Sequence, residues 1–237
     1  TLDTASGSMT FSDVNSRSGL VVSNGSGSTK TGSVTCTKAE LDNSSGSLRM
    51  NAVNASMNGI ISNGSGSLTA GNITVGTTAA AASDYQCIIS NASGHMETGD
   101  VTVSGSLNLS TASGPAALGQ VSAAAYTVST ASGSLKLTGL NGNGSLSCAS
   151  GSIKAGTLIP TGPVSMDNGS GSIRASIPEN TGLEFYAAHI GPGSISAFFP
   201  IPDKKSASAQ SPVQYGNAPY YQITASTQTG SITLNKK

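Results

Sequence analysis

The stretch Ser150-Gly151-Ser152-Ile153-Lys154-Ala155 decides the fold, because it returns 20 residues later as Ser170-Gly171-Ser172-Ile173-Arg174-Ala175. Further full copies of the Ser-Gly-Ser tripeptide begin at Ser6, Ser26, Ser45, Ser65 and Ser132. Weaker copies begin at Ser93, Ser113, Pro192 and Thr229. The unit is about 20 residues long, and a fixed period of this length is the signature of a repeat architecture.

Aligning the copies places apolar residues at fixed distances from the first serine. Three residues after it are Met9, Leu48, Leu68, Met96, Leu135, Ile153, Ile173, Ile195 and Ile232. Six residues before it are Leu20, Cys87, Leu107, Tyr126, Val164 and Tyr186. Neighbouring apolar positions within a unit are two residues apart, which is the period of a β-strand. Each unit therefore carries short strands whose apolar side chains are predicted to point inward.

Strands this short cannot build a sandwich from hairpins, so each is expected to stack on its counterpart one coil later. The sequence predicts an all-β, single-domain β-solenoid of about 20-residue coils with parallel ladders. Residues 1–199 are assigned to the solenoid repeats, with an insertion near residues 77–85. Residues 200–237 combine an irregular segment rich in proline and tyrosine with the final strands. They are predicted to cap the C-terminal end of the same domain.

Each repeat glycine is expected at a sharp corner of the coil, because glycine tolerates the positive φ that such corners demand. A polar column runs just before the corner: Asn24, Asn43, Asn63, Asn91, Thr111, Thr130 and Asn168. Stacked amide side chains can hydrogen-bond along the solenoid axis and satisfy the backbone of the corner. This column is therefore interpreted as structural.

Composition excludes several classes of partner. Eleven Lys and Arg balance eleven Asp and Glu, so the basic surplus of a nucleic-acid-binding protein is missing. No apolar run approaches the roughly 18 residues that cross a bilayer, so no membrane-spanning segment is expected. Cys36, Cys87 and Cys148 lie among small or apolar neighbours without C-x-x-C spacing. They are predicted to be buried thiols rather than a disulfide or metal site.

The composition, rich in Ser, Thr and Asn and poor in Lys and Glu, favours an extracytoplasmic protein. The chain starts at Thr1 within the first repeat, with no initiator methionine and no signal-peptide pattern. We expect a secreted protein, or one anchored to the cell envelope through an N-terminal segment that has been removed.

The S-G-S-[IL]-x-[AL] units at residues 150–155 and 170–175 resemble those of a bacterial family of adhesin-like domains of unknown function. The resemblance covers nearly the whole chain and departs from the pattern at residues 77–85 and 200–221. It implies a β-solenoid that is exported or anchored at the cell envelope. The family offers no catalytic motif that could be transferred to this chain.

No catalytic, cofactor-binding or metal-binding residue is assigned from the sequence. Acid–base chemistry needs two positioned titratable groups. Asp42 and Asp167 share one column but are several coils apart, and His95 and His189 are likewise separated. A non-enzymatic module without a cofactor is therefore predicted. The alternative is a carbohydrate-active lyase or hydrolase on the same scaffold, which would need clustered acidic side chains on one face.

One outward column is basic, with Glu97 interrupting it: Lys30, Arg49, Lys136, Lys154 and Arg174. It has two interpretations. The column would contact anionic polymers such as teichoic acid or lipopolysaccharide, or it is a solvated stripe with no partner.

Seven of the ten aromatic residues fall between Phe185 and Tyr221. Tyr215, Tyr220 and Tyr221 lie beside the irregular segment, and tyrosine offers a flat apolar face together with a hydroxyl. These three residues are the predicted ligand contacts of a cell-surface or secreted, adhesin-like or structural module that binds a glycan or a protein. The competing interpretation is that they seal the end of the solenoid.

Overall fold

The computed structural model describes residues 1–76, 85–189, 192–201 and 212–237. All strands in these ranges belong to one 19-stranded sheet, and no helix occurs among them. The predicted β-solenoid is confirmed. The insertion predicted near residues 77–85 lies outside the described residues, apart from Tyr85.

The strands of the N-terminal half are β1 (Leu2–Thr4), β2 (Met9–Thr10), β3 (Val14–Asn15), β4 (Gly19–Asn24), β5 (Thr29–Ser45), β6 (Leu48–Ser65), β7 (Leu68–Val75), β8 (Gln86–Ser93), β9 (Met96–Thr98) and β10 (Val101–Ser113). Those of the C-terminal half are β11 (Ala116–Ser132), β12 (Leu135–Ser150), β13 (Ile153–Ser170), β14 (Ile173–Ile177), β15 (Gly182–His189), β16 (Ile195–Ala197), β17 (Val213–Tyr215), β18 (Tyr220–Thr229) and β19 (Ile232–Lys236). The longest of these run around a whole coil with local bends.

Parallel ladders stack each residue on its counterpart in the next coil. Leu135 pairs with Ile153, and Ile153 pairs with Ile173. All three side chains are fully buried in one continuous apolar core. The strand period therefore gives the correct inward face along this column, because alternate residues of a strand point to opposite sides.

The repeat glycines form a column at one corner of the coil, as predicted. Its members, with φ between 101° and 129°, are Gly7, Gly27, Gly46, Gly66, Gly94, Gly114, Gly133, Gly151, Gly171 and Gly230. The space is as restrictive as the dihedral angle. A Cβ built on Gly133 would lie 2.3 Å from the carbonyl oxygen of Gly114 on the preceding coil. Only glycine fits a corner where backbone stacks directly on backbone.

The polar column beside this corner is buried and hydrogen-bonded along the axis. Asn43 Nδ2 donates to Asn63 Oδ1 at 2.9 Å, and Asn63 Nδ2 donates to Asn91 Oδ1 at 3.0 Å. Further along, the hydroxyls of Thr111 and Thr130 donate instead to carbonyl oxygens of their own corners. The predicted structural role of this column is confirmed, since these hydrogen bonds satisfy most of its buried polar groups. The exceptions are Asn24 Oδ1 and Asn168 Oδ1, which accept no hydrogen bond from the described residues.

A second corner, which the sequence interpretation missed, uses acidic side chains as caps. Asp13 Oδ1 accepts the amide N–H of Ser33 at 2.7 Å, and Asp100 Oδ1 accepts that of Gln120 at 2.8 Å. Each carboxylate thus ties its own coil to the next one. Short Asx side chains are suited to this because they reach backbone amides that a bend leaves unpaired.

The assignment of Tyr186 to the apolar core was wrong. Phe185 occupies that column, paired with Ile223 and only 1% exposed, whereas Tyr186 lies on the outward face. The prediction counted back from the weak copy at Pro192, where the spacing differs by one residue. A shift of one residue in a strand moves every side chain to the opposite face.

The last two strands are not stacked in chain order. β18 lies between β13 and β15, and β19 lies between β14 and β16. β17 pairs antiparallel with the other edge of β15. The segment of residues 220–236 is therefore the second-to-last level of the stack, and β15 and β16 lie outside it. The sequence interpretation places this segment at the end itself.

Replacing Ile153 with aspartate is expected to unfold the domain, because the residue is 0% exposed between Leu135 and Ile173. An unpaired buried charge costs several kcal/mol, comparable to the stability of a whole domain. Circular dichroism during thermal unfolding measures the effect. Ile153→Val is the control and should cost only about 0.5–1.5 kcal/mol. If Ile153→Asp has the same melting temperature as the wild type, the inward column is misassigned.

Gly133→Ala is expected to lower the free energy of unfolding by at least about 2 kcal/mol, through strain at positive φ and the close contact with Gly114. Gly139→Ala is the matched control in the same coil. Gly139 has no positive φ, and a Cβ there would approach the flexible Gln120 side chain at 3.4 Å. Chemical denaturation of both variants tests the corner, and equal losses would contradict it.

Candidate functional site

Tyr215 belongs to an aromatic cluster at the C-terminal end of the solenoid. Its ring stacks on Phe199, with the centroids 5.1 Å apart and an interplanar angle of 23°. Phe198 meets both rings edge-on at 5.1 Å, and Phe185 meets Phe199 edge-on at 5.9 Å. Such pairs stabilise a fold beyond the apolar area that they bury. The contacts of Tyr215 are therefore those of a residue that closes the end of the core.

Tyr220 and Tyr221 have different surroundings from Tyr215. Tyr220 is 44% exposed, and its hydroxyl donates to the carbonyl oxygen of Gly216 at 3.3 Å. Tyr221 is half-buried and pairs with Leu183 on β15. Of the three predicted contact residues, Tyr220 alone presents a largely free aromatic face. The structure thus does not bring the three together on one exposed surface.

A groove runs along the outside of the solenoid beside the buried Asn/Thr column, and it encloses about 1020 Å³. One wall carries the residue before each member of that column: Asp42, Ser62, Ser90, Ser110, Ser129, Ser147, Asp167 and Ser226. The other wall carries the residue after it: Ser44, Gly64, Ala92, Ala112, Ala131, Ala149, Gly169 and Gln228. Eight stacked levels at the usual strand spacing make this serine groove about 34 Å long.

Four hydroxyls in the middle of the serine groove are uncommitted. Ser90, Ser110, Ser129 and Ser147 are half-buried, and their side chains form no hydrogen bond with any residue that the structure describes. At the two ends the hydroxyls are engaged, since Ser62 donates to Asp42 and Ser226 donates to Asp167. The groove therefore presents a row of free hydroxyls between two acidic ends.

The two carboxylates of the groove cannot act as a catalytic pair. Asp42 and Asp167 share one outward column, as predicted, but six levels separate them. At strand spacing this is about 29 Å. Glycoside hydrolysis uses two carboxyl groups that are between about 5 and 9.5 Å apart.

The basic column lies on the other side of the glycine corner, and three of its cations occupy consecutive levels. Lys136 pairs with Lys154, and Lys154 pairs with Arg174. Lys30 and Arg49 form a second pair in the same column. Between the two groups stand Thr69, Glu97 and Ala117. All five cationic side chains are exposed, so the predicted outward column is confirmed.

The three cysteines are free and buried, as predicted. Burial raises the pKa of the Cys87 thiol to about 12, which keeps it protonated and unreactive at neutral pH. Cys148 takes the place of asparagine in the polar column, and its thiol donates to the carbonyl oxygen of Gly133 at 3.1 Å. In the described ranges, no three His, Cys, Asp or Glu residues cluster as a metal site. These ranges also contain no helix that is long and apolar enough to cross a membrane.

A family model described as Toastrack DUF4097 matches residues 57–235. The chain belongs to this family. The Toastrack domain is a solenoid-like fold of uncharacterised function. Its match begins within β6, and the same stacking continues through the coils that precede it. No curated protein and no solved structure matches the chain.

The sequence interpretation missed the serine groove, although its walls are visible in the aligned copies. Serine precedes the polar column in most units, and Ala, Gly or Ser follows it. Both outward positions therefore carry small side chains at most levels, the exceptions in the walls being Asp42, Asp167 and Gln228. That recurrence was the sequence signal for a groove. A row of small residues indicates a groove only when the bend of the coil is known.

Tyr215→Ala is expected to lower the melting temperature of the domain by about 4–8 °C, because it removes a half-buried ring from the end cluster. Tyr220→Ala should change it by less than about 2 °C, since the ring is 44% exposed. Differential scanning calorimetry compares the two variants. A larger loss at Tyr220 would reverse these assignments.

Proposed function

We propose that this Toastrack domain is a non-enzymatic, adhesin-like module outside the cytoplasm, and that it binds a linear glycan or an extended protein segment. The observation that carries the proposal is the serine groove, with its row of uncommitted hydroxyls. The exposed Tyr220 ring is a secondary contact on the same strand, β18, that supplies Ser226 to the groove.

The shape of the serine groove supports a polymeric ligand. It is open along its length and repeats the same pair of walls at each level, so it has no feature that would hold one small molecule at one place. An extended chain can repeat the same contact at successive levels. Hydroxyls that both donate and accept suit sugar hydroxyls and peptide groups equally well.

The rigidity of the solenoid supports a binding role over a catalytic one. The groove walls are held by parallel ladders and by the buried Asn/Thr column. A preorganised surface loses little conformational entropy when it binds. Asp42 and Asp167, the carboxylates that the described residues contribute to the groove walls, are too far apart to cooperate in acid–base chemistry. The groove therefore does not support the enzyme alternative.

Ala131→Arg is expected to abolish ligand binding, because it places a long charged side chain between the groove walls at mid-length. Ala125→Arg is the matched control. It makes the same change in the same strand, β11, at an exposed position outside the groove. Both variants should melt within about 2 °C of the wild type, since both positions are exposed.

The test is a glycan array probed with wild type and both variants, followed by calorimetry with each glycan that is retained. Loss of binding in Ala131→Arg with retention in Ala125→Arg supports the groove as the site. Equal binding by the two variants would reject it. If the wild type retains no array glycan, the glycan form of the proposal fails.

A further inference from the structure

Three exposed cations on consecutive levels, Lys136, Lys154 and Arg174, form a ladder along the solenoid axis. We propose that this cationic ladder binds a linear polysaccharide that carries one carboxylate on each sugar. The site is separate from the serine groove, because the glycine corner, here Gly151, lies between the groove wall and the ladder.

The ladder has no counter-ion among the residues that the structure describes. The ion pairs among the described residues join His95 to Glu97 and Lys236 to Glu179, and they leave the three cations unpaired. Like charges on adjacent levels, about 4.8 Å apart, repel one another. The described residues do not neutralise these three charges. A bound polyanion would neutralise them and remove the repulsion.

A row of hydroxyl donors runs beside the ladder. Ser134 Oγ accepts the amide N–H of Ser152 at 3.3 Å, and Ser152 Oγ accepts that of Ser172 at 3.4 Å. Because both hydroxyls act as acceptors here, their O–H groups remain available to donate. A carboxylate above the ladder would receive a charge-assisted hydrogen bond from the cation and a second bond from the serine.

The spacing of the cations in the ladder indicates the chemical class of the polymer. One cation per strand level, at about 4.8 Å, is comparable to the advance of one sugar in an extended polyuronate chain. The long, flexible side chains at successive levels can therefore pair with carboxylates along such a chain. Duplex DNA carries one charge per roughly 1.7 Å of its axis, so three cations in line would neutralise only a small part of it.

The same column provides a matched control. Lys30 and Arg49 lie on adjacent levels of the same face, separated from the ladder by Thr69, Glu97 and Ala117. They form a pair rather than a run of three. The double variants Lys154→Gln/Arg174→Gln and Lys30→Gln/Arg49→Gln change the net charge of the protein equally. A difference between them therefore reports position and not total charge.

The experiment is calorimetric titration of the wild-type chain and both double variants with polygalacturonate, with neutral dextran as the blank polymer. The wild type should bind polygalacturonate and not dextran, more weakly as salt is raised. Lys154→Gln/Arg174→Gln should bind on the order of tenfold or more weakly, since two charge-assisted hydrogen bonds are lost. Lys30→Gln/Arg49→Gln should change the affinity by less than about twofold. Both should keep the wild-type melting temperature, because the altered side chains are exposed.

Four results would overturn this proposal. If the wild type does not bind polygalacturonate, the proposal is wrong. Equal losses of affinity in the two double variants would show that binding depends on total charge and not on the ladder. Equal or tighter binding of a DNA duplex would assign the surface to another class of polymer. Ala131→Arg separates this site from the groove. If it abolishes polygalacturonate binding while Lys154→Gln/Arg174→Gln does not, the carboxylated polymer occupies the groove instead.

Discussion

At the glycine corner, the backbone of one coil rests directly on the backbone of the next. A Cβ on Gly171 would lie 1.9 Å from the carbonyl oxygen of Gly151, and both residues have positive φ. Dihedral angle and space therefore require the same residue. Because the corner repeats at nearly every described level, it fixes the register of the strands on both sides. The apolar columns, the Asn/Thr column and the outward columns all depend on that register.

A fixed register turns single residue positions into lines along the solenoid axis. The inward lines provide stability, as in the pairing of Leu135, Ile153 and Ile173. The outward lines create surfaces with the same spacing, and these are the serine groove and the cationic ladder. Features that repeat at about 4.8 Å are suited to partners that also repeat. Both proposed ligands are therefore extended chains.

The predictions from sequence succeeded where a column depends on the repeat alone, and they failed where the repeat is broken. Ile153 and the Asn43–Asn63 hydrogen bond follow from counting residues from the corner. Tyr186 was misplaced because the count was taken from the irregular copy at Pro192, and Phe185 is the buried residue. The caps provided by Asp13 and Asp100 were missed, since acids that recur only occasionally leave no periodic signal.

The sequence by itself determined the parallel solenoid, because a 20-residue period with two-residue alternation allows few other ways to bury the apolar positions. It also determined the basic column, which follows from register. Only the tertiary structure decided that β18 and β19 lie between earlier coils, since strand pairing depends on complementary edges and not on chain order. It likewise decided that Tyr215 packs into the end cluster and that two rows of small residues face each other across a groove. Both depend on how the coil bends and closes in space, which the spacing of residues along the chain does not record.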